Sequence, residues 1–99
     1  MNTYEITLKA LSDPTRRALL DRLRVAPCSV TELTEVAQIS QPAVSQHLRV
    51  LKEAGLVAAQ AEGARRIYHL TPDGLLELRE YIESFWDEVL GAFQKAAES

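Results

Sequence analysis

The chain has 99 residues, 11 Lys and Arg, 14 Asp and Glu, a formal net charge of −3, and 46% hydrophobic residues. That is the size of one small domain with enough apolar content for a single core. The apolar runs are too short to span a bilayer, MNTYEITLKAL has no basic segment before a long apolar core, and the one cysteine excludes an internal disulfide framework and fits a reducing cytoplasm.

The first predicted element is a short helix over 3–11, with Ile6, Leu8 and Leu11 apolar. Ser12-Asp13-Pro14-Thr15 starts a second helix: a Ser can cap it, and a proline in the first turn sacrifices no needed hydrogen bond. Ala18, Leu19, Leu20 and Leu23 form its inward stripe, Arg16, Arg17, Arg22 and Arg24 lie largely outside, and Pro27 ends it. Ser29 with Glu32 three residues on is a capping-box pattern for a third helix. Its buried side is Val30, Leu33 and Val36 or Ala37.

Ile39 and Ser40 make a tight connection, with Ser40 as cap of a fourth helix and Pro42 in its first turn. Val44, Leu48 and Leu51 recur at i, i+4 and i+7 and face inward. Gly55 stops this helix. LVAAQA and RRIYHL are two β-like runs around Glu62-Gly63-Ala64, a hairpin. Thr71-Pro72 opens a long helix to about residue 97. Its stripe of Leu75, Leu78, Ile82, Phe85, Trp86, Val89 and Phe93 is larger than so small a body can cover, which points to a partner surface, most simply a second copy of the chain.

Helix, turn, helix and hairpin make a winged helix-turn-helix: a mainly α fold of about five helices with a small β-hairpin, one domain over 1–99. The helix-turn-helix occupies 29–54 and the wing 56–70. With Val44 inward, Pro42, Ser45, Gln46, Arg49 and Glu53 point outward, and Gln41 lies at the exposed start. Amide, hydroxyl and guanidinium groups on a slim helix are what base edges in a major groove require. Thr31, Ser40, Lys52, Arg65 and Arg66 supply phosphate contacts.

The charge distribution agrees with double-stranded DNA as partner where the total does not. From Asp73 onward there are seven acids and two bases, which leaves seven acids and nine bases in residues 1–72. The competing expectation is a winged-helix protein-interaction module whose Trp86–Phe93 face binds a different protein. An enzyme is not expected, because no catalytic constellation or phosphate-cradling glycine loop is present.

ALSDPTRRALL, SVTEL, SQPAVSQHLRVLKEAGLV and EGARRIYHL resemble the ArsR/SmtB-type bacterial repressors over roughly residues 8–93. The resemblance implies a cytoplasmic homodimer built from the first and last helices (3–11 and 72–97), with Leu8, Leu11, Ile82, Phe85, Trp86, Val89 and Phe93 at its interface. It implies a recognition helix at about 41–54 and repression by occupying an inverted repeat. Gln41, Ser45, Gln46 and Arg49 match groove-facing positions, and Gly63, Arg65 and Arg66 match the wing. His47 matches a histidine at the groove margin, the other reading being a half-buried residue between helices.

The family's sensing chemistry carries over poorly. Where metal-sensing members have a Cys-Val-Cys-type motif, this chain reads Ser29-Val30-Thr31, and its last helix has no histidine. No metal site and no cofactor are expected, and the inducer is unknown. Cys28, just before a helix start, is a candidate redox thiol beside the simpler reading of a partly buried side chain.

Overall fold

The computed structural model describes residues 2–98. In chain order they form α1 (Thr3–Leu11), α2 (Pro14–Leu23), β1 (Cys28–Ser29), α3 (Val30–Ala37), α4 (Gln41–Glu53), β2 (Val57–Glu62), β3 (Arg65–Leu70) and α5 (Asp73–Glu98). This is the winged helix-turn-helix with five helices that the patterning predicts. The sheet has one strand more than the expected hairpin: β1 pairs antiparallel with β3, giving the order β1-β3-β2.

Several helix starts follow the sequence signals. The Ser29 hydroxyl accepts from the Glu32 amide while Glu32 reaches back to the Ser29 amide and hydroxyl, a complete capping box. Ser40 Oγ accepts from the Ala43 amide at 3.3 Å. At α2 the cap is Asp13 rather than Ser12. Its carboxylate accepts from the amides of Thr15 and Arg16, while the Ser12 hydroxyl donates to the Lys9 carbonyl at the end of α1. Helix α2 stops at Leu23, four residues ahead of Pro27.

Helix α4 ends in a Schellman arrangement. The Leu56 amide donates to the Leu51 carbonyl, that of Gly55 to Lys52, and Gly55 takes φ +70°. Leu51 and Leu56 are both fully buried, which supplies the apolar contact that accompanies this motif. The α3–α4 turn has a different solution: Gln38, not a glycine, occupies the left-handed region at φ 56°. At the wing tip Gly63 (φ +63°) and Ala64 join Glu62 to Arg65, the type II′ pattern with glycine first.

Leu19, Leu33, Val44, Leu48, Leu51 and Leu56 make the centre of the core, with Tyr68 from the wing closing one side. One inward assignment fails, since Ala18 is exposed; of Val36 and Ala37 it is Ala37 that packs against the core, with Val36 45% exposed. Leu11 is partly buried and packs against this core.

The long helix meets the body only at its start. Gly74 and Leu78 are its buried residues, and everything from Ile82 to Glu98 is exposed. Tyr4 of α1 stacks on Tyr81 with ring centroids 3.9 Å apart, and Phe85 meets the edge of Tyr81. The molecule is consequently elongated, 64 × 27 × 23 Å. No helix of the described residues is long and apolar enough to cross a membrane.

Gly74 is more than a tolerated helix residue. A Cβ there would run into the Ala54 carbonyl oxygen at the end of α4. Gly74→Ala should therefore lose roughly 1–3 kcal/mol of unfolding free energy as backbones are pushed apart. Gly91 has nothing within 4 Å of the same position, and Gly91→Ala should gain about 0.5–1 kcal/mol through helix propensity. Urea denaturation of the two variants checks both signs.

Candidate nucleic-acid interface

Two adjoining clefts run between the helix-turn-helix and the wing. One is lined by Val30, Ser45, Arg49, Lys52, Arg66 and Tyr68, with a volume of about 350 Å³. The other, about 220 Å³, is lined by Ser29, Val30, Thr31, Gln41, Ala64, Arg65 and Arg66. Gln41, Ser45, Arg49 and Lys52 share one stripe of α4 because i, i+4, i+8 and i+11 return to nearly the same angle on a helix. Strand β3 brings Arg66 against that stripe. Neither cleft has an acidic lining residue. Arg49, Lys52 and Arg66 have no acidic partner among the described residues, so their charge faces solvent unneutralised.

Gln46 is exposed on α4 but lines neither cleft. Ser40 is exposed and engaged as the α4 cap. His47 is half-buried between helices. Its Nδ1 lies 3.3 Å from Arg16 Nη1. A guanidinium can only donate, so the imidazole nitrogen accepts. Arg16, expected outside, is turned inward: Nε donates to the Ala10 carbonyl at 2.7 Å and Nη2 to the Lys9 carbonyl at 3.1 Å. It thus caps the end of α1 and links it to α4, a role that sequence spacing does not reveal.

Arg65 lines the second cleft and is also paired with an acid. Its Nη2 sits 2.7 Å from Glu32 Oε1, while Arg22 approaches Glu32 Oε2 at 3.8 Å. Glu32 therefore serves two purposes, as the α3 capping-box acid and as an ion-pair partner across to the wing. Its carboxyl is held below the ordinary range, first by the Ser29 hydroxyl and amide and then by the charges of Arg65 and Arg22.

Cys28 is not a poised thiol. It lies in β1 opposite Tyr68, is 1% exposed, and burial pushes its thiol upward in pKa against a smaller opposing effect of Arg22. A reactive cysteine needs the reverse on both counts. Among the described residues no three His, Cys, Asp or Glu side chains group so as to hold a metal ion.

The family model for bacterial regulatory proteins of the arsR family matches residues 13–59, from the α2 cap into β2. The HTH-type transcriptional regulator Rv2034 of Mycobacterium tuberculosis is 43% identical, over 100% of this chain and 95% of that protein. The chain belongs to the ArsR family. The transcriptional repressor SmtB of M. tuberculosis is 38% identical over 72% of this chain and 53% of its own length, so this chain spans about half of that relative. Among solved structures, the homodimeric winged helix-turn-helix DNA-binding domain of Mb0332 from Mycobacterium bovis superimposes with a TM-score of 0.70 at 27% identity, over 89% of this chain and 82% of that one. As an ArsR-family member the protein is a DNA-binding transcriptional regulator and not an enzyme. The protein-interaction alternative finds no support in these relatives.

The two helix-start carboxylates give this regulator a defined acid response. Asp13 is lowered chiefly by the Arg16 amide, helped by the Thr15 amide and the Arg16 charge, and Glu32 is lowered as described. A carboxylate whose folded pKa lies below its unfolded value stabilises fully above the unfolded value and stops doing so as pH falls through the folded one. The melting temperature should hold level down to about pH 5 and then fall toward about pH 2. Asp13→Asn should flatten part of that fall, as followed by circular dichroism.

Proposed function

We propose that the protein is a homodimeric repressor of the cytoplasm that occupies an inverted-repeat operator, one α4 in the major groove of each half-site. The observation that carries this reading is the acid-free cleft where Arg49 and Lys52 of α4 meet Arg66 of the wing. Ser45, Gln46 and Arg49 read base edges, with Gln41 at the start of the helix, and Arg is suited to guanine through two parallel hydrogen bonds. Thr31, Ser40, Lys52 and Arg66 hold phosphates and fix the register. The helix start at Ser40 adds outward amides and the positive end of its dipole.

The second copy covers the apolar face of α5. Ile82, Phe85, Trp86, Val89 and Phe93 are between 52% and 74% exposed, and Leu8 of α1 is 45% exposed. A contiguous apolar face of this extent on a soluble monomer is unusual. The Mb0332 domain is homodimeric, and SmtB is named a repressor, which supports both halves of the reading.

Fluorescence anisotropy on DNA from upstream of the protein's own gene tests the operator. Arg49→Ala should weaken binding by about 1–3 kcal/mol and relax base preference. Half-sites should be centred about 34–36 Å apart or a multiple of that. Equal binding to operator and to unrelated duplex at low salt overturns the reading. Trp86→Asp should convert a dimer into a monomer by sedimentation equilibrium, and an unchanged mass removes α5 from the interface.

A further inference from the structure

We propose that Glu32 is the positioning residue of the wing, and that Arg65 is the other half of its clamp rather than a phosphate ligand. The inference rests on the operator reading above for its DNA arm, and on the free protein for its other arm.

The geometry is specific. Arg65 and Arg66 are neighbours on β3, so their side chains leave opposite faces of the strand. Arg66 lines both clefts and has no acidic partner among the described residues, whereas Arg65 lines only the smaller cleft and is paired there. Arg65 donates to Glu32 at 2.7 Å. Glu62 stands directly across the hairpin from Arg65 in register, yet the ion pair forms with Glu32 on α3. Glu32 Oε1 is simultaneously fixed by the Ser29 hydroxyl at 3.0 Å, and Oε2 is approached by Arg22 of α2. A carboxylate held from α2 and from its own helix start is a fixed anchor. The wing is otherwise joined to this part of the body by the two-residue strand β1, where Ser29 faces Ile67, and by direct packing of β3 on α3 and α2. One end of the wing is thus set by a short ladder, and the tip side by this ion pair.

Two consequences follow for DNA. An arginine already paired with a carboxylate releases few counterions on binding, so Arg65 adds little to the salt dependence. The clamp holds Arg66 in place against α4, so Glu32 acts on the phosphate contact without making it.

Four variants test this: E32Q, R65A, their double, and R66A. Glutamine at 32 keeps the capping box, so helix α3 still starts at Ser29. In the free protein, ¹⁵N order parameters at residues 63–64 should fall in E32Q and in R65A and stay level in R66A; unchanged values in E32Q overturn the clamp. On operator DNA, R65A should keep the wild-type slope of log K against log salt, while R66A lowers its magnitude by about 0.9. E32Q should steepen the slope by about 0.9 as Arg65 is released to a phosphate, and the double variant should return it to wild type. A drop in R65A equal to that in R66A overturns the proposal. Unchanged slopes in both R66A and a fifth variant, K52A, would instead sink the groove reading, and the order parameters would still decide the clamp.

Discussion

The backbone contact between Gly55 and Gly74 is the constraint on which the arrangement depends. The Gly74 amide donates to the Gly55 carbonyl at 2.8 Å, and the Thr71 hydroxyl donates to the same oxygen at 2.9 Å. Gly55 has just turned the chain out of α4, and Gly74 is opening α5. Only a residue without Cβ allows the two backbones to approach this closely. Thr7 of α1 lies fully buried in the same junction, its hydroxyl within 3.2–3.5 Å of the carbonyls of Thr3, Ala54 and Gly74. Three helices and Thr71, the residue that leaves the wing, therefore share one hydrogen-bonded knot, and each buried polar group in it has a partner.

That knot makes a rigid unit of elements with different tasks. If α5 pairs with its counterpart in a second copy, the angle fixed at Gly55–Gly74 decides where each α4 is aimed. Arg16 adds a second link, from the end of α1 to His47 on the inner side of α4. Helix α4 is thus fastened at its middle and at its C-terminal end, while its polar stripe stays free. A groove-reading helix needs that combination, since base contacts discriminate only if the donor and acceptor positions are reproducible.

What was legible in the sequence was whatever depends on neighbours a few residues away. The Ser29–Glu32 box, the Ser40 cap, the Gly55 stop, the Gly63 turn and the Val44-Leu48-Leu51 stripe all act within one or two turns, and the structure has each of them. What was not legible depends on partners far along the chain. Strand β1 is two residues with no alternation to see, and it exists because Tyr68 and Ile67 lie beside it. Gly74 reads as an ordinary helical glycine until Ala54 is placed against it. Arg16 and Arg65 look like surface residues of their helix and strand, yet Arg16 is turned onto the end of α1 and His47, and Arg65 onto Glu32 thirty-three positions away. At α2 the cap is Asp13 and not Ser12, because the Asp13 carboxylate reaches the amides of both Thr15 and Arg16 while Ser12 is drawn to the end of α1.

The same distinction between local and global settles the charge. A protein of net charge −3 is a poor candidate for a polyanion only if its charge is felt as a whole. At physiological salt an exposed charge is screened over about 8 Å. At about 1.5 Å per residue, Glu88 stands roughly 22 Å along α5 from Asp73, and that helix runs out from the body with its far half exposed. Its distal acids are therefore several screening lengths from the end of the helix that meets the body. The field at the clefts is set by Arg49, Lys52 and Arg66, with Glu32 already occupied by Arg65 and Arg22. An acidic helix and a basic groove can coexist in so small a protein because the outer half of α5 stands well away from the body.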